Sequence, residues 1–188
     1  MSDQPTYLQL LRGIANAESD AHCYLSAWRD TTTDTELQSV LATVASREGE
    51  HGMAFAKRII ELGYGFERKE HQSLAEKVAV AQSNCTDVEK AEYFGLTRAE
   101  DALSFFDNVF KDHSIDIRTG ELLGRYIAEE HDTARLTKRC YDTMCAQATM
   151  PAATVLAGLE TKVDSLCRAV DELRQIVCAQ TMAATAAE

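Results

Sequence analysis

Four glutamates and one histidine stand where an amphipathic helix should carry apolar side chains. Glu18 lies seven residues from both Leu11 and Leu25, and Glu48 lies seven residues from both Leu41 and Phe55. Glu100 follows Leu96 by four and precedes Leu103 by three, while Glu130 follows Leu123 by seven and Tyr126 by four. On a helix these offsets return to one face, so each carboxylate points where its apolar neighbours point. An ionised carboxylate in a low-dielectric core must be paired or bind a cation. No comparable set of Lys or Arg occupies these stripes, which makes a metal ion the expected partner. In Glu48-Gly49-Glu50-His51 the first and last residues are three apart and share a face, so a carboxylate and an imidazole can reach one ion. Hard carboxylate oxygens with an imidazole suit iron or manganese better than thiolate-seeking ions. Tyr24, Tyr93 and Tyr126 are candidates to line a redox pocket beside them.

The elements that must position these groups are helices. Leu8, Leu11, Ile14, Ala15, Ala21, Leu25 and Trp28 fall on one face at the helical period, giving a first helix over about 6–29. Thr31-Thr32-Thr33-Asp34 ends it and caps a second helix over about 34–63, which stops at Gly63-Tyr64-Gly65. A longer connection, 64–86, contains a weak helical patch from Leu74 to Ala81. A third helix is predicted over 87–111 and a fourth over 115–147. Two antiparallel hairpins joined by one long crossover make an all-α four-helix bundle over 6–147. The spacing supports two versions of one hairpin unit, since Glu18 to Glu48 and Glu100 to Glu130 are both 30 residues.

After Pro151 the pattern changes. Leu156, Leu159, Val163, Leu166, Val170, Leu173 and Val177 alternate steps of three and four, the seam of a C-terminal coiled-coil helix over 151–180. With mainly β-branched residues at a and Leu at d, this composition favours a parallel two-stranded coil, and hence a homo-oligomer. The alternative is a fifth helix folded back on its own bundle.

Composition narrows the function classes. A net charge of -11 on 188 residues, with no Lys/Arg cluster, argues against nucleic acid as a partner. No run approaches the roughly 18 apolar residues of a membrane span, and no basic stretch leads into an apolar one near Met1, so a cytoplasmic location is expected. The six cysteines form no C-x-x-C pair and are read as mostly reduced thiols.

Over about 6–147 these residues resemble the ferritin-like superfamily, particularly its rubrerythrin and bacterioferritin branch. The resemblance implies a lone Glu on the first helix of each hairpin, matched by Glu18 and Glu100, and a Glu-x-x-His on the second, matched by Glu48 and His51. The fourth helix departs from it: Thr133 stands three after Glu130 where the family carries His, and either the adjacent His131 or a water is the candidate substitute. Rubrerythrins also carry C-x-x-C iron ligands, absent here, and often a Glu where this chain has Thr97. The resemblance implies two bound iron ions, with manganese as an alternative, and oxidation of Fe(II) by O₂ or peroxide. Two other readings remain: a di-iron oxygenase or hydroxylase acting on an organic substrate, and a metal-depleted bundle that works as an interaction protein through its coiled coil.

Overall fold

Asp34 shows how the local sequence sets the frame. Its carboxylate accepts hydrogen bonds from the backbone of Glu36 and Leu37 at 2.9 and 3.0 Å, satisfying donors that a helix start leaves orphaned. In the computed structural model, residues 4–97, 111–149 and 152–185 are described, with side chains left out over 152–157 and 175–185. These residues form helices α1 (Leu8–Arg29), α2 (Thr35–Glu61), α3 (Leu74–Gln82), α4 (Asp87–Tyr93), α5 (Ile117–Thr149) and α6 (Ala152–Thr185). No strand occurs among them.

The third helix is shorter than its apolar periodicity predicts. Thr86 and Glu89 form a reciprocal capping box that starts α4, but the helix ends at Tyr93. Gly95 follows with φ 71°, a left-handed conformation that costs a glycine little and ends the helix. The expectation of one helix over 87–111 is corrected to that extent. Glu100, Leu103, Phe106 and Phe110 lie outside the described residues, and with them the second copy of the proposed hairpin repeat.

Two apolar clusters sit above and below the stripe glutamates. One joins Leu8, Leu11 and Ile14 of α1 to Phe55 and Ile59 of α2 and Leu123 and Tyr126 of α5. The other joins Leu25 and Trp28 to Leu37, Leu41 and Val44, with Ala81, Ala91, Cys140 and Met144. Burying each large apolar side chain contributes about 1.5–3 kcal/mol, so these clusters fix the helices on either side of the polar layer. The pairing of α1 residues with α5 residues rises together along both chains, so α5 runs in the direction of α1 and against α2.

Polar ties set the ends. Asp116, immediately before α5, accepts from Tyr7 Oη, Arg58 Nη2 and the backbone and hydroxyl of Thr119. At the far end the Asp87 carboxylate accepts from Trp28 Nε1 at 2.6 Å and Thr32 Oγ1 at 2.7 Å. Between the ends, α1 and α2 approach closely. A Cβ on Gly52 would stand 2.6 Å from Ser19 Oγ, 3.2 Å from Ser19 N and 3.3 Å from Ala15 O.

Residues from Ala146 onward form a unit of their own. Within it α6 is a continuous helix whose seam residues Leu159, Val163, Leu166, Val170 and Leu173 are 52–66% exposed. Among the described residues no helix is long and apolar enough to cross a membrane.

Candidate metal centre

The side chains of Glu18, Glu48, His51 and Glu130 converge from α1, α2 and α5. Each offers one ligand atom, and these atoms all lie within 4.8 Å of one another, so the group could hold a metal ion. Glu18 is 7% exposed and Glu48 and His51 are 4% exposed, although glutamate belongs at the surface by default. Their helices bring them here for the reason the spacing gives: each sits on the same stripe as the core residues one turn or two turns away.

Two atoms in this group are buried without a hydrogen-bond partner among the described residues, His51 Nδ1 and Glu130 Oε1. They stand 3.4 Å apart, with Glu48 Oε2 at 3.9 Å from the same nitrogen. At these distances the charges attract, but no hydrogen bond is made to either atom, so part of the cost of burying them is left uncompensated. A cation between them would satisfy both.

The protonation states follow from crowding. Burial, then the neighbouring Glu48 carboxylate, push the Glu18 carboxyl up to about 10. Burial likewise raises Glu130. Burial works against a charged His51, but the surrounding carboxylates of Glu130, Glu48 and Glu129 outweigh it and raise the imidazole to about 10. Burial would also raise Glu48, yet His51 and Glu18 hold it below its ordinary value. Protons thus stand in for positive charge wherever a cation does not.

Two residues that the stripe reading passed over complete the surroundings. Glu129 Oε2 sits 2.6 Å from His51 Nε2, and its other oxygen accepts from Arg125 Nε at 2.9 Å. With the Nε2 proton held by Glu129, loss of the Nδ1 proton would turn a lone pair toward Glu48 and Glu130, the arrangement of a histidine ligand fixed by an outer carboxylate. Arg47 of α2 donates through Nη1 to Thr133 Oγ1 and to the Glu129 carbonyl, both at 2.9 Å. A guanidinium therefore reaches Thr133, the position at which the resemblance implies a second histidine. The spacing alone is ambiguous: Glu129 is three after Tyr126, and Arg47 is three after Val44 and four before His51, offsets that a solvated position at the stripe's edge shares.

The remaining sequence candidates divide. Tyr126 is at the centre, donating to Glu18 Oε1 at 2.7 Å with its ring edge-on to His51 at 4.9 Å. Tyr24 shares a cavity of about 630 Å³ with Glu18, Glu48, Glu130 and Thr133, and stacks on Phe94. Tyr93 does not belong with them. It closes α4 and is 46% exposed, and its hydroxyl donates to Glu76 at 3.0 Å. His131 does not join the group either, since one helical step from Glu130 carries it about 100° round the axis. Glu100 lies outside the described residues.

Five cysteines, Cys23, Cys85, Cys140, Cys145 and Cys167, are free thiols. No protein-family model, curated protein or solved structure matches this chain.

Proposed function

We propose that the chain is a ferritin-like, non-haem di-iron or di-manganese protein that oxidises Fe(II) or reduces O₂ or peroxide. The observation that carries this reading is the convergence of three carboxylates and one imidazole, Glu18, Glu48 and His51 buried and Glu130 half-buried, in which His51 Nδ1 and Glu130 Oε1 lack a hydrogen bond. Their donor set suits iron and manganese, whose hard and borderline character matches carboxylate oxygen with imidazole nitrogen. Bound metal would supply the one-electron chemistry that passes electrons from Fe(II) to the oxidant.

The chain's own residues do the rest. Glu48 and Glu130, both beside His51 Nδ1, would hold the metal together with Glu18 and His51. Tyr126 holds one Glu18 oxygen and so selects the other for the ion. Glu129 fixes the imidazole tautomer. The cavity beside Tyr24 gives a small oxidant a route to the carboxylates.

A second reading rests on Arg47. Its guanidinium, together with protonated His51, supplies positive charge that a metal would otherwise provide, which suits a bundle that has given up its ions and acts through α6. Metal analysis of protein expressed with added iron, then anaerobic Fe(II) titration and exposure to O₂ or peroxide, separates the two. About two ions per chain with rapid oxidation, lost in Glu48→Ala, is the outcome expected for a di-iron centre of this superfamily. Protein without stoichiometric iron or manganese, or Glu48→Ala that binds as wild type, sinks the di-iron reading.

A further inference from the structure

From the charges that flank its exposed seam, we infer that α6 pairs with a second copy of itself in antiparallel order, with Cys167 at the dyad. The seam residues Leu159, Val163, Leu166, Val170 and Leu173 are each more than half exposed, a row of large apolar side chains that a helix leaves to water only at a cost. They occupy alternating d and a positions, so the face has the shape that another such helix fills. What identifies the occupant is the pair of flanking rows, e and g.

Between residues 158 and 174 the e row carries Glu160, Cys167 and Arg174, and the g row carries Lys162 and Ala169. All five side chains are exposed. In a parallel pair, g of one helix meets e of the next heptad on the other. That order sets Lys162 against Cys167 and Ala169 against Arg174, and gives Glu160 the apolar Val155. It forms no ion pair. In an antiparallel pair, e meets e. An alignment centred on residue 167 then sets Glu160 of each copy against Arg174 of the other, twice by symmetry. The e row is self-complementary: acid seven residues before a small neutral residue, base seven residues after it. The composition of a and d alone favours the parallel order, but composition there is a preference, whereas the flanking charges set orientation and partner choice. The surface is isologous and closes as a dimer, with no second face left to propagate.

Both charges lie on an exposed helix, so reversing either one leaves folding intact, which far-ultraviolet circular dichroism verifies. Light scattering and sedimentation on the full chain are expected to show a dimer. Glu160→Lys and Arg174→Glu should each weaken it about five- to tenfold, because each replaces two attractions with two repulsions, and the combined variant should regain wild-type affinity. A short bismaleimide is expected to link Cys167 to the Cys167 of the second copy, read by peptide mapping. A monomeric chain overturns the inference. Single variants without effect, as parallel order would give, or single losses that simply add in the double variant also overturn it. Metal uptake is measured on the same variants and should not change, so this inference and the di-iron reading stand or fall separately.

Discussion

At the scale of single residues, the centre depends on groups that do not themselves face the carboxylate cluster. Glu129 touches the far nitrogen of His51, so Glu129→Gln keeps the shape of the side chain while removing the charge that steadies the imidazole. Metal affinity is expected to fall about 10- to 100-fold with the helices unchanged, measured by competition against a chelator of known strength. An unaltered affinity would show that His51 is oriented by packing against Tyr126 alone. Heptad offsets made Glu18, Glu48, His51 and Glu130 legible, because a charge on an apolar stripe is a conflict visible in one dimension. Glu129 and Arg47 were not, because they lie at the stripe's edge, where a charged residue reads equally well as solvated surface. Only the fold of α5 against α2 shows that Arg47 is spent on Thr133 and the Glu129 carbonyl.

At the scale of elements, helix identity followed from periodicity, while one helix end did not. The apolar pattern runs on through Phe94 and Leu96, so it could not reveal that Gly95 turns the chain at that point. The approach of α1 to α2 was equally invisible, since a glycine in a helix looks like a weak position rather than a contact. Gly52→Ala tests it. The added methyl meets Ser19 and the Ala15 carbonyl, and the backbone atoms among them cannot move aside, so a loss of about 1–3 kcal/mol is expected in denaturant unfolding. Gly124→Ala on α5 is the control. With open space around its Cβ, it should gain about 0.5–1 kcal/mol from helix propensity. Equal effects at both sites would mean that α1 and α2 are not in close contact there.

At the scale of the whole molecule, the buried titratable groups tie stability to pH. His51 rises from an ordinary 6.5 to about 10 on folding. A raised value favours the folded state fully below 6.5, and that contribution is lost as pH climbs towards about 10. Glu18 has the same sign over a wider window, from 4.5 to about 10, whereas Glu48, whose value is lowered, acts oppositely at the acid end. With chelator present, the melting temperature should therefore fall as pH rises from 6.5 to about 10. A flat profile would mean that these side chains reach solvent. The same crowding has a stoichiometric consequence. An ion entering the group must displace the protons held by Glu18 and His51, so uptake at neutral pH is an exchange of cation for protons in which the buried charge changes little. Calorimetric heats of metal binding should then scale with the ionisation enthalpy of the buffer, and the protein would release its metal on acidification as one step of a proton count rather than by unfolding.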